Sequence, residues 1–421
     1  MAAFERQTLP NGLRLLTAPM PQAQSVSCFV MLAAGSRYET RETNGIAHFA
    51  EHMFFKGTER RPTAREIAGE VDSIGGEFNA FTNKEYTGYY VRCAAEHRDI
   101  ALDVLVDMLR HSRFDSGEID REKGVIIEEM NMYYDTPRDF VDGVYEELVY
   151  GDHPLGWEII GRKETVQGAT RDTFLDYLGD WYKPSRMVVG VGGRIGDGLT
   201  ERIEELLGDL EDAPTGSPPP ALPLPEGARV KVHTKQSDQA HICLGVRSRP
   251  VADPSRYIIT VLTTVLGGGM SSRLFTEVRE RRGLAYYIFA TNYGYTDTGS
   301  LYAQGGVDIN RIDEAVSTVA AELKNMAASP VPEDELRKAK NFAKGRFVLQ
   351  LESPHGLINF GLRREVLEGR VPEPEEVLTG IEAVTAEDVQ QLAQELINDE
   401  AIRLAVIGPF DDADRFEKLL G

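Results

Sequence analysis

Cysteine is scarce in this chain: Cys28, Cys93 and Cys243 are three in 421 residues, scattered and odd in number. That count excludes a disulfide framework, and the apolar, strand-like surroundings of each predict reduced core thiols. No apolar run approaches the roughly 20 residues that a membrane-spanning helix needs, so no membrane partner is expected. Positive charge is also short, with 46 Lys and Arg against 67 Asp and Glu and a net charge of -21. This balance argues against nucleic acid and anionic membrane. It is compatible with a bias toward basic peptides, although most such charge serves as solubilising surface. The opening stretch, residues 1–17, lacks the basic and apolar regions of a signal peptide and the Arg-rich look of a transit peptide. Together with reduced thiols, this predicts a cytoplasmic protein. The glycine run Gly267–Gly269 precedes a helical stretch. No lysine follows in the P-loop pattern, so it is not read as a phosphate cradle.

Histidine is rare as well, at eight residues, yet two of them stand four apart in the stretch Asn44 to Phe55. His48, Glu51 and His52 form H-x-x-E-H. On a helix His48 and His52 share one face and can grip one metal ion, and imidazole suits Zn²⁺. Glu51 lies at the edge of that face, where a carboxylate can take the proton of zinc-bound water during hydrolysis. A tetrahedral site still needs a third protein ligand. The stretch Ser116 to Tyr134 reads as a second helix, capped by Ser116, with acids in its first turns. It offers Glu122, Glu128 and Glu129. Glu122 and Glu129 share a face, and Glu128 points about 100° away from Glu129. The pattern makes Glu129 a candidate ligand and Glu122 a candidate companion that orients a ligand histidine.

The remaining chain reads as mixed strands and helices. Apolar or alternating strands are expected at 13–17, 26–33, 77–82, 87–94 and 187–192, and helices at 63–74, 97–112 and 170–182. Residues 209–227 are proline-rich and without periodicity, which marks a linker. The second half then echoes the first. Tyr90 and Ile100 return as Tyr302 and Ile312, Glu118 as Glu335, and the strand at Met187 as one at Leu404. A repeat this long means duplicated domains and not a solenoid. The expected division is 1–208 for a metal-binding domain, 209–227 for the linker and 228–421 for the repeat. By the same offset Glu129 falls on Arg346, Glu122 on Ala339, and the two histidines near Ile258 and Leu262. One metal ion per chain is therefore expected. The fold class is α+β: two duplicated domains, each a largely antiparallel sheet with helices packed on one face.

H-x-x-E-H followed by a glutamate on a later helix resembles the inverzincin zinc peptidases of pitrilysin and mitochondrial processing peptidase type. That family places its third ligand 77 residues after the second histidine, which selects Glu129 over Glu128, and its companion glutamate at Glu122. Residues 76–82, 121–130 and 266–286 also fit, so the likeness spans nearly the whole chain. Its length resembles the two-domain subunits that pair. The resemblance implies a processing-peptidase-like metallohydrolase fold and a zinc metalloendopeptidase acting on unfolded peptides or short polypeptides, with Glu51 as general base. It implies that Arg279 and Tyr286 reach toward a zinc site and donate to the scissile carbonyl as it gains charge. It implies that the strand Glu77 to Thr82 binds peptide by strand addition, through Asn79, Ala80 and Phe81. It implies a dimer, because the family encloses its chamber with four such domains. A homodimer suffices, since both motif sets are present, and a heterodimer would meet the same need. The alternatives are a non-catalytic structural subunit, which usually shows a broken zinc motif, and a zinc enzyme acting on a small molecule.

Overall fold

The computed structural model describes residues 3–420. It contains two compact units, and neither is a continuous half of the chain. Unit 1 gathers the residues up to Met130, Glu158–Pro219 and Val348–Pro374; unit 2 gathers Asn131–Trp157, Pro220–Phe347 and the residues from Glu375. These bounds differ from the expected continuous domains 1–208 and 228–421. Each half gives one helical segment to the other half's unit. The stretch 209–227 has no regular structure, and the change of unit falls within it, after Pro219.

Unit 1 is built on six strands: β1 (Glu5–Thr8), β2 (Arg14–Pro19), β3 (Ser25–Leu32), β4 (Glu77–Thr82), β5 (Thr87–Ala94) and β6 (Met187–Gly193). Their order is β1-β2-β6-β3-β5-β4, which leaves β1 and β4 at the edges. All neighbours are antiparallel except the β2–β6 pair. Helices α1 (Ile46–Phe54) and α2 (Ala64–Ser73) lie between β3 and β4 in the chain, and α3 (Arg98–His111) and α4 (Ser116–Asp135) lie between β5 and β6. Thr63 caps α2 in a capping box with Glu66, which fixes its start. The cap of α4 is Asp115 and not Ser116, which is the first helical residue. Asp115 Oδ1 accepts from Gly117 N at 2.9 Å and Glu118 N at 3.2 Å. A carboxylate there meets both the orphan amides and the positive end of the helix dipole.

Neighbouring residues of β5 show how the sheet is covered. The Tyr89 ring meets Phe54 of α1 at 5.2 Å, and the Tyr90 ring meets His355 at 4.7 Å. Successive side chains of a strand point to opposite faces. The sheet therefore has the expected helices on one face and, in addition, helix Pro354–Glu368 on the other. The glycines of β6 make room for it. A Cβ at Gly190 would lie 2.5 Å from Leu362 Cδ1, and one at Gly192 would lie 2.8 Å from Ile358 Cβ.

Unit 2 repeats the design with β7 (Val230–Thr234), β8 (Gln239–Ser248), β9 (Ala285–Gly294), β10 (Gly299–Asp308) and β11 (Arg403–Gly408), in the order β7-β11-β8-β10-β9. Only the β7–β11 pair is parallel. Helix α5 (Pro137–Tyr150) belongs here: Phe140, Val141, Val144 and Tyr145 are buried in one cluster with Cys243, Tyr302, Ala405 and Ile407. The α+β class and the pair of largely antiparallel sheets are as the sequence predicts. All three cysteines are free and buried, also as predicted. No described helix is long and apolar enough to cross a membrane.

An acid of α5 touches this cluster through Cys243. Asp142 Oδ1 accepts from Cys243 Sγ at 3.2 Å, and burial, aided by Glu146, pushes the carboxyl up to about 6 despite that bond. Below the ordinary carboxylate range Asp142 is protonated whether the chain is folded or not. Between that range and about 6 only the folded protein keeps the proton, so stability falls as pH rises through this window. Asp142→Asn removes the effect. The variant is expected to match the wild type near pH 4 and to exceed it at pH 8 by about 1–3 kcal/mol. Thermal unfolding of both proteins across that range checks this; a gap that does not change with pH contradicts it.

Candidate metal centre

Gly45 precedes helix α1 as its cap, and its φ of 98° lies in the left-handed region. A Cβ there would also sit 2.8 Å from Gly161 Cα, so glycine is required twice over. The first turn is held by a buried carboxylate, Glu39. It accepts from Gly45 N at 2.9 Å, Ala47 N at 2.8 Å and the Asn44 side-chain amide at 3.0 Å. Burial pushes Glu39 up to about 8, and the two backbone donors pull in the other direction. Phe49, Ala50, Met53 and Phe54 are buried, with Phe49 edge-on to Phe174 at 4.8 Å. This apolar side fixes the rotation of α1 and turns His48 and His52 to the other side, with ring centroids 4.6 Å apart.

Ile119, Ile126 and Met130 are buried and set the rotation of α4 in the same way. Glu122 is buried on that helix, Glu129 is partly buried, and Glu128 is exposed. Glu129 Oε1 lies 3.8 Å from His48 Nε2, and Glu129 Oε2 lies 3.5 Å from His52 Nε2. Among the described residues His48, His52 and Glu129 are the one group able to hold a metal ion, with ligand atoms all within 4.8 Å of one another. A tetrahedral zinc ion with bonds near 2.0 Å spaces its donor atoms by roughly 3.3 Å, so the three side chains fit it with small adjustments. The donor chemistry agrees. Burial, and then the neighbouring His52, push His48 down to about 3, which keeps its imidazole neutral and able to bind a metal.

Glu122 does what the helical pattern predicts. Its Oε1 takes the His52 Nδ1 bond at 2.9 Å, so His52 turns Nε2 toward Glu129. Lys56 Nζ pairs with the other oxygen of Glu122 at 2.5 Å. Burial alone would raise Glu122, but the bonds from His52 and Lys56 outweigh it and hold the carboxyl below its ordinary value. Glu51 lies beside the triad on α1, and its Oε2 accepts from Thr82 Oγ1 at 2.6 Å. Burial raises Glu51 above the ordinary range, and the Thr82 bond offsets part of that.

The other residues singled out in the sequence form two further groups. Asn79, Ala80 and Phe81 lie on the edge strand β4. Ala80 N donates to Asn79 Oδ1 at 2.9 Å. The Phe81 ring packs over Gly88, where a Cβ would be 2.4 Å from Phe81 Cζ. Arg279 and Tyr286 lie in unit 2. The Arg279 guanidinium stands over the Tyr286 ring at 5.5 Å and the Phe275 ring at 4.8 Å. Tyr286 is 74% exposed at the start of the edge strand β9. Sequence reasoning passed over Glu39, Lys56 and Thr82. Lys56 carried a weak signal, one helical turn beyond His52. Glu39 and Thr82 carried none, because their partners are set by tertiary packing.

Two imidazoles and a carboxylate from a helix pair, with a further carboxylate one residue before the second histidine, form a candidate metal centre. Comparison with known proteins agrees. Residues 14–163 match the insulinase domain of peptidase family M16, and residues 168–342 match the peptidase M16 inactive domain. The chain is 39% identical to the uncharacterized zinc protease YmxG of Bacillus subtilis, over 96% of this chain and 98% of that one. It is 35% identical to an uncharacterized zinc protease of Streptomyces coelicolor, over 98% and 91%. The fold matches a crystal structure described as a protease from Helicobacter pylori with a TM-score of 0.89, at 23% identity over 97% of this chain and 100% of that one. The chain belongs to peptidase family M16.

Proposed function

We propose that the protein is a zinc metalloendopeptidase that cuts unfolded peptides or short polypeptides, with one zinc ion per chain. The observation that carries this reading is the convergence of His48, His52 and Glu129, with Glu51 on the same helix as the histidines at the edge of their face. The zinc protease names of relatives over nearly the full chain support it. Held by that triad, a zinc ion would supply Lewis acidity for the scissile carbonyl and for water. Glu51 takes a proton from the attacking water and delivers it to the leaving amine. Glu122 holds the His52 tautomer. The open edge of β4 pairs with an extended peptide through main-chain bonds, which gives sequence-tolerant binding. Arg279 and Tyr286 donate to the carbonyl oxygen as it gains charge. We further propose that the working form is a homodimer in the cytoplasm, in which these two residues serve the zinc site of the other copy.

Strand addition needs free backbone groups, so substrate structure decides the rate. An unstructured peptide is expected to be cut in a zinc-dependent manner. A stable folded protein is expected to resist until it is denatured. Digestion of one substrate in its native and unfolded forms, read by mass spectrometry, tests this. Equal rates for the two forms contradict the proposal.

A further inference from the structure

We propose that Thr82 is a positioning residue for Glu51, an inference that rests on the reading of Glu51 as the general base. Thr82 is the last residue of β4, and its hydroxyl donates to Glu51 Oε2 at 2.6 Å. Phe78, four residues earlier on the same strand, meets Phe55 at the end of α1 with ring centroids 5.4 Å apart. Residues 78 and 82 share one face of β4, so this face lies against the helix that carries the histidines and Glu51. The Thr82 bond occupies one carboxylate oxygen and leaves Oε1 to meet the attacking water. A carboxylate held at one oxygen loses less freedom when it reacts.

The anchor itself is rigid. Thr82 pairs with Thr87 across the β4–β5 hairpin, and Asn83 N donates to Tyr86 O at 2.9 Å in the turn between them. That turn is seated on the loop before α1. Ser36 N donates to Asn83 O at 3.1 Å and Arg37 N to Lys84 O at 2.7 Å. The buried pair Arg37–Glu85 closes at 2.7 Å. A Cβ at Gly35 would be 2.1 Å from Asn83 O, so the contact tolerates only glycine. The strand offered to the peptide and the hydroxyl that orients the base are thus parts of one fixed hairpin.

Thr82→Val keeps the shape and the β-branching and removes only the hydroxyl. It is expected to lower kcat on an unstructured peptide by about 10–100-fold. KM, zinc retention against a chelator and the melting temperature are expected to stay at wild-type values. Thr82→Ser, which restores a donor, is expected to recover most of the loss. A hydroxyl that only touched the peptide would raise KM and leave kcat alone, and a hydroxyl that only stabilised the strand would lower the melting temperature; either result overturns the proposal. So does failure of Thr82→Ser to recover. Glu51→Gln, run alongside, separates the two readings. If it retains turnover, the base assignment fails and Thr82 falls with it. If it is inactive while Thr82→Val turns over normally, Thr82 alone is refuted.

Discussion

Glu51→Gln is expected to abolish peptide hydrolysis while zinc stays bound. Glutamine fills the same space and still accepts from Thr82 Oγ1, which lies 2.6 Å from Glu51 Oε2. It cannot take a proton at neutral pH. The carboxylate is suited to that task because burial raises its proton affinity above the ordinary range. A positioned base typically contributes about 10²–10⁴-fold to rate, so turnover is expected to fall by at least that factor. The ligand variants follow a different pattern. His48→Ala and Glu129→Gln each remove one of three protein donors and are expected to lower zinc occupancy together with activity. Glu128→Gln is the internal control, since Glu128 is exposed on α4, and is expected to be mild. Metal analysis and a peptide assay on the four proteins decide the matter. Near-normal turnover by Glu51→Gln removes the base assignment. Loss of metal from Glu128→Gln with retention by Glu129→Gln shifts the ligand to Glu128.

Mixing two inactive proteins is expected to restore activity if each active site is shared between copies. One partner carries Glu51→Gln; the other carries Arg279→Ala and Tyr286→Phe. Each homodimer has two damaged sites. A mixed dimer combines the intact zinc triad and Glu51 of one copy with the intact Arg279 and Tyr286 of the other. Its second site carries both lesions. With random exchange and independent sites, about a quarter of wild-type activity is expected on mixing equal amounts. The exposure of Tyr286, 74% in the single chain, and its contact with Arg279 at 5.5 Å suit a pair that acts outside its own unit. If one copy supplied both motif sets to the same site, no mixed dimer would hold a whole site. No recovery despite demonstrated exchange rejects the shared site and leaves the zinc assignment standing.

The sequence by itself determined the core of the candidate site. The offset of four between His48 and His52 fixes a shared helix face whatever the helix packs against, because 3.6 residues per turn leaves no other choice. The same arithmetic puts Glu122 and Glu129 on one face of α4 as candidates, the resemblance to the family selected Glu129 over Glu128, and both stand beside the histidines. Strand bounds at 77–82 and 87–94 were legible because alternating apolar residues and the Gly75–Gly76 turn mark them sharply. What only the tertiary structure decided was which surface each element covers. An amphipathic helix states that one side will be buried, not against which sheet. Residues 354–368, which the sequence placed in the domain 228–421, form a helix that lies on the glycines of β6. Likewise residues 137–150, enclosed by the expected domain 1–208, form α5 and pack on β8, β10 and β11. The same limit hid Glu39 and Thr82, which meet the first turn of α1 and Glu51 from a loop and a strand. Such contacts depend on where backbones come to rest in three dimensions, and local periodicity holds no record of that.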